Sequence, residues 1–149
     1  MDLGLTGRTA VVTGASRGID LADPHGPARL VALAGERLDI LVNNVGSAPA
    51  RTGGFLDITD EDWQQTINLD LMAAVRPTRS ALPAMLAAGK GAIVSICSVN
   101  AALPDPAVMD YSAAKAALAG FSKALSKEVG PAVSGSTRSA RARSPPICG

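Results

Sequence analysis

The stretch VVTGASRGIDLADPHG, residues 11–26, joins two things that are not ordinarily neighbours. A strand end, Val11-Val12, runs into Thr13-Gly14-Ala15-Ser16-Arg17-Gly18. Gly14 and Gly18 stand four apart, so the backbone can turn tightly and come close to a pyrophosphate. A helix should continue from such a loop. The chain passes instead into Asp20-Leu21-Ala22-Asp23-Pro24, in which Asp23 can cap a new helix with Pro24 at its first position.

On either side of that junction, short apolar runs bounded by turn residues read as strands: residues 8–13 (RTAVVT), 38–44 (LDILVNN) and 91–97 (GAIVSIC). Their apolarity is continuous rather than alternating, which predicts parallel strands covered on both faces. Helical patterns lie between them. One runs from Pro24 through ARLVALAGERL. A second opens at Thr59, where Asp62 three residues on resembles a capping box, and continues to about Ala88 with interruptions expected at Pro77 and Pro83. A third, rich in alanine, spans about Val108 to Val129. The alternation of strands and helices predicts an α/β protein with a doubly wound open sheet. Of the 149 residues, 47% are hydrophobic and only 3% aromatic, which fits an Ala/Val/Leu core in one domain.

Charge excludes more than it suggests. The net charge of +1 gives no reason to expect a nucleic-acid or acidic-membrane partner. The basic excess sits in residues 131–149, which hold Arg138, Arg141 and Arg143 and no acid. That segment has no apolar periodicity and reads as a disordered basic tail. Cys97 and Cys148 are too few and too differently placed for a disulfide framework or a metal site. No apolar run approaches the about 18 residues of a membrane span, and the start of the chain does not resemble a signal peptide, so the cytoplasm is the expected compartment.

Chemistry concentrates at strand ends and on the third helix. Tyr111 and Lys115 are four apart in YSAAK, so on a helix they share a face. A phenol is a poor base near neutrality, and a neighbouring cation favours its ionised form. Ser98 comes directly after the third strand, at the carboxyl end where open α/β sheets place their sites, and its hydroxyl can bond a substrate oxygen. Asn43-Asn44-Val45-Gly46 ends the second strand, and Asn68 lies inside the long helical stretch. His25, the only histidine, sits in a Pro/Gly turn and reads as surface, while Trp63 reads as a packing anchor.

Taken in order, TGASRGI, DLAD, NNVG, INL, ICS and YSAAK resemble the short-chain dehydrogenase/reductase family, with the likeness running from Leu5 to about Pro131. The resemblance implies a Rossmann-type fold that binds NAD or NADP and passes a hydride between nicotinamide and a carbonyl or secondary alcohol. It implies that Tyr111 is the general acid/base, that Lys115 supports it and holds the nicotinamide ribose, that Ser98 polarises the substrate oxygen, and that Asn68 anchors a water relaying protons to Lys115. Thr13, Gly14, Ala15, Ser16, Arg17, Gly18 and Ile19 match the family's cofactor loop, Asp20 and Leu21 its adenine-contacting pair, and Asn44 and Gly46 its Asn-Asn-Ala-Gly, with Val45 in place of the usual Ala. Arg17 leans toward NADP, because a basic side chain can pair with a 2′-phosphate. Met72, Met85 and Leu86 fit core or subunit contacts, and the resemblance implies a homo-oligomer formed through the two long helices.

The chain also departs from the family. There the cofactor loop and the adenine-contacting Asp are separated by a helix, a strand, a helix and a strand, whereas here Ile19 and Asp20 are adjacent. The expected fold is therefore a truncated Rossmann sheet with three central strands retained, residues 1–130 forming an incomplete NAD(P)-binding domain and the first strand left as an apolar edge. Written in permitted codons and shifted by one base, the tail allows Gly-Ile-Arg-Val-Asn-Thr-Val-Ser-Pro-Gly, which resembles the family's continuation. Residues 131–149 thus read as out-of-frame translation, a hypothesis that resequencing without such an alternative frame would overturn. Two functions stay open at this point: a working oxidoreductase, and a non-catalytic remnant that dimerises.

Overall fold

The computed structural model describes residues 5–14, 25–35 and 37–132 in full and residues 138–142 by their backbone. The three apolar runs form the parallel strands β1 (Ala10–Val12), β2 (Ile40–Asn43) and β3 (Ala92–Ser98). A fourth parallel strand, β4 (Arg138–Ala142), lies along β3, and the sheet order is β1-β2-β3-β4. The register sets Ala10, Ile40 and Ala92 in one row, Val11, Leu41 and Ile93 in the next, and Val12, Val42 and Val94 in a third. The α/β class and the Rossmann-type parallel sheet are as expected. β4 falls inside the segment expected to lack regular structure. Pairing requires only backbone N–H and C=O groups, which the free edge of β3 offers, so the polar composition of that segment carried no sign of it.

The helices are α1 (Gly26–Ala32), α2 (Asp60–Ile67), α3 (Ala73–Ala87) and α4 (Met109–Val129). The helix start expected at Asp23 and Pro24 lies outside the described residues. α1 begins after His25, which makes no side-chain cap, with Pro27 in its first turn. α2 has the capping box: the Thr59 hydroxyl accepts from the Asp62 N–H at 3.2 Å, and the Asp62 carboxylate accepts from the Thr59 N–H at 3.0 Å. Between α2 and α3, residues Asn68–Met72 form one wide π-helical turn. The interruption therefore lies ahead of the two prolines rather than at them. The carbonyl that the ring of Pro77 would crowd belongs to Ala73, the first residue after the wide turn, so irregularity and proline fall in one place.

Helices cover one face of the sheet. Val11, Leu41 and Ile93 are buried together with Ala81 and Met85 of α3 and Leu125 and Val129 of α4, while Leu30 and Val31 of α1 pack against them. Further along, Cys97 of β3 meets Ala74 and Leu118. The alternate residues point the other way: Val12 is 45% exposed, and Ile40, Val42, Val94 and Ile96 are only partly buried. The expectation of cover on both faces is thus met on one face among the described residues. Continuous apolarity allows two-sided burial but does not supply the second layer.

One polar clamp fixes the strand starts. The buried Asp39 carboxylate accepts from the Thr9 N–H at 2.9 Å, from Arg37 Nε at 2.9 Å and from Arg8 Nη1 at 3.2 Å. The Thr9 N–H, with the two guanidinium groups, holds its pKa down to about 2.

Candidate active site

The carboxyl ends of β1, β2 and β3 converge where the sequence placed its chemistry, as expected for an open α/β sheet. Thr13, fully buried, ties the first two strand ends together: its Oγ1 donates to the Val42 carbonyl at 3.3 Å and accepts from the Asn44 N–H at 3.0 Å. Thr13 thus spends its hydroxyl on holding the loop. Gly14 has φ +76°, a conformation that favours glycine, and a Cβ there would sit a tight 3.2 Å from the Asn44 carbonyl oxygen. Ala15, Ser16, Arg17, Gly18, Ile19, Asp20 and Leu21 lie outside the described residues.

A cleft of about 310 Å³ opens beyond β2 and β3. Asn44, Gly46, Ile96, Ser98, Tyr111 and Lys115 are among the residues that line it, so cofactor-side and catalytic expectations meet in one space. Ser98 ends β3, and its Oγ accepts from the Asn100 N–H at 3.2 Å. Tyr111 and Lys115 lie in the first two turns of α4, with Lys115 Nζ 5.6 Å from the centre of the Tyr111 ring. Lys115 is 3% exposed and donates to the Val45 carbonyl at 3.2 Å.

Asn68 is not brought to Lys115 by its side chain. It begins the π-helical turn, and its Oδ1 accepts from Arg76 at 2.8 Å. Asp70, two residues on, takes that place: its Oδ1 stands 3.3 Å from Lys115 Nζ and also accepts from the Ser47 N–H at 3.2 Å. A Cβ on Gly46 would come within 2.8 Å of both Asp70 Oδ1 and Lys115 Nζ, so the ion pair lies directly against that backbone. Burial pushes the Asp70 carboxyl above its ordinary range, with Lys115 and the Ser47 N–H working against the rise. Motif spacing did not single out Asp70, although an acid inside the apolar run Ile67–Ala73 is a signal for a buried, partnered carboxylate.

Nor did it single out the anchor of Tyr111. Asp110, the preceding residue, is completely buried and accepts from Arg51 Nη2 at 2.6 Å, Arg51 Nε at 3.1 Å and Thr66 Oγ1 at 2.7 Å. Arg51 also reaches Asp62 at 2.8 Å, so the network ties the start of α4 to the start of α2. Burial opposes the Asp110 charge, yet the bonds from Arg51 and Thr66 outweigh it and hold the carboxyl below its usual range. Arg51 and Asp110 are 59 positions apart, beyond any spacing rule.

The residues present suit the nicotinamide end of a dinucleotide. Gly46 brings bare backbone to the wall of the cleft, against Lys115, and the cleft is large enough for a ribose and a nicotinamide. Among the described residues no helix is long and apolar enough to cross a membrane.

Comparison with known proteins places this geometry. The family model for short chain dehydrogenases matches residues 20–134. An uncharacterised oxidoreductase of Bacillus subtilis, YvrD, is 40% identical over 90 residues, which are 60% of this chain and 34% of that protein. A Beutenbergia cavernae protein whose structure carries NADP at low occupancy has a TM-score of 0.76 and 31% identity, over 83% of this chain and 49% of its own. A 3-oxoacyl-[acyl-carrier protein] reductase of Brucella melitensis with bound NAD gives 0.75 and 27%, over 83% and 48%. The chain therefore spans between about a third and a half of the length of these relatives. On the ordered motifs, the parallel sheet and the family match over most of its length, this chain belongs to the short-chain dehydrogenase/reductase family.

Proposed function

We propose that the chain is an NAD(P)-dependent oxidoreductase that moves a hydride between nicotinamide and a small carbonyl or secondary alcohol. The observation that carries this reading is the meeting of Ser98, Tyr111 and Lys115 with Asn44 and Gly46 in one cleft. When bound there, the nicotinamide supplies or accepts the hydride. Asn44, Gly46 and Lys115 would hold its ribose end. Tyr111 gives its hydroxyl proton to the substrate oxygen in reduction and takes it back in oxidation. The Lys115 charge favours the phenolate that results. Ser98 donates to the same substrate oxygen and orients the carbonyl. Either NADP or NAD suits the cleft, and the lean toward NADP rests on Arg17 alone. Pairing of two copies through α3 and α4 belongs to the same proposal and is supported by Leu86 of α3, 41% exposed.

The test is NADPH oxidation against a panel of small ketones and aldehydes, with wild type and Tyr111→Phe side by side. The expected loss in the variant is about 100-fold or more in kcat. Equal rates in the two proteins would remove Tyr111 from the reaction.

A further inference from the structure

Behind the catalytic cleft lies a second cavity of about 210 Å³, lined by Ser47, Arg51, Gln65, Thr66 and Asp70 among others. Ser47 lines both spaces. Asp70 stands between them: Oδ1 faces Lys115 Nζ at 3.3 Å, and Oδ2 is buried with no hydrogen-bond partner. A buried carboxylate oxygen left without a donor is costly unless it exchanges a proton or is met transiently. The Asn68 side chain, expected to anchor a water that relays protons to Lys115, accepts from Arg76.

We propose that Asp70 is the positioning and proton-linking partner of Lys115, holding the ammonium charged beside Tyr111 and passing protons between it and the second cavity. The proposal rests on the oxidoreductase reading of the cleft. In the reduction direction, as hydride from the reduced nicotinamide reaches the carbonyl carbon, Tyr111 gives its proton to the carbonyl oxygen. Lys115 then gives an ammonium proton to the phenolate. The Asp70 carboxylate takes a proton from solvent through the second cavity and passes it to the lysine amine. A bound reduced nicotinamide would supply the hydride that reduces the carbonyl, one solvent proton is consumed, and all three residues return to their starting charge. The raised affinity of the Asp70 carboxyl for a proton suits this exchange.

Other charged groups near the pair are otherwise engaged. Asp110 is bound by Arg51, and the first bonds of Arg51 go to Asp110 and Asp62. Arg76 holds Asn68. Tyr111 is the titratable group on the Lys115 side, and Asp70 is the carboxylate within ion-pair distance of the ammonium.

The experiment compares wild type, Asp70→Asn and Asp70→Glu as full chains, by two readouts. The first is the side-chain signal of Lys115 in lysine-labelled NMR, assigned with Lys115→Met. The expected result is a signal displaced in Asp70→Asn and returned toward wild type in Asp70→Glu. The second is kcat and KM for carbonyl reduction across pH, where Asp70→Asn should lose about 10-fold or more in kcat, altering the shape of the profile, with KM for NADPH little changed. Circular dichroism identifies a variant that has unfolded, in which case wild type alone decides: a Lys115 signal that does not move when a nearby carboxyl is protonated overturns the pairing. A Lys115 signal identical in wild type and folded Asp70→Asn also overturns it. A displaced signal with no turnover in wild type sinks the oxidoreductase reading and leaves the Asp70–Lys115 pairing standing, while a displaced signal with an unchanged kcat profile sinks the proton link.

Discussion

The two faces of the sheet are built from the same kinds of residue and do different work. Val11, Leu41 and Ile93 face α1, α3 and α4 and form the core, whereas Val12, Val42 and Val94, one residue further along each strand, form a row of valines with no helix on it among the described residues. The helices on the covered face also carry Tyr111 and Lys115, and the wide turn between α2 and α3 carries Asp70, so stability and the candidate cleft depend on the same side. Burial is decided by which helices the chain supplies, and composition alone does not distinguish the faces.

Truncation on the two faces should separate them most widely. Leu41→Ala, at a side chain with no exposed surface, should cost about 3 kcal/mol in urea unfolding, enough to threaten the fold of a domain this size. Asp110→Asn should come next, at about 2 kcal/mol, because it leaves the partly buried Arg51 and the buried Thr66 donors without a full carboxylate partner. Thr59→Ala, which removes the capping box of α2, should cost about 1 kcal/mol. Leu41 and Asp110 of α4 belong to the covered side, and smaller losses there than Val42→Ala gives would break the contrast.

Acid provides a graded version of the same test. The Asp39 pKa is lowered in the folded chain to about 2, from 3.8 for an ordinary aspartate. Its stabilisation is therefore complete above 3.8 and is lost as pH falls toward about 2. Unfolding midpoints of wild type and Asp39→Asn should converge over that window, and parallel curves would show that the clamp does not stabilise the strand starts. At the small end, Val42→Thr on the uncovered row should change stability by about 0.5 kcal/mol or less. A cost as large as that of Leu41→Ala would mean that the row is covered after all.

Much of this was legible from short-range pattern. The three strands, the capping box at Thr59 and Asp62, the long helix carrying YSAAK, and the approach of Tyr111 to Lys115 arise from local propensity and from the four-residue repeat of a helix. Three features were not. Asp110 finds Arg51 across 59 residues, a contact that only the packing of α4 on α2 creates. Asp70, and not the Asn68 side chain, pairs directly with Lys115 from the wide turn at Asn68–Met72, and a wide turn has no strong sequence signature. β4 forms by backbone pairing along a free edge, which residue polarity does not encode.

The central claim is that the cleft between β2, β3 and α4 takes the nicotinamide end of a dinucleotide. Titration of the full chain with NADPH and NADH, with nicotinamide fluorescence as the signal, tests it without requiring turnover. The expected result is a saturable signal for at least one cofactor, weakened about 10-fold or more by Gly46→Val, whose side chain would enter the space held by Asp70 and Lys115. No saturable signal up to about 1 mM of either cofactor, or binding indifferent to Gly46→Val, would contradict it.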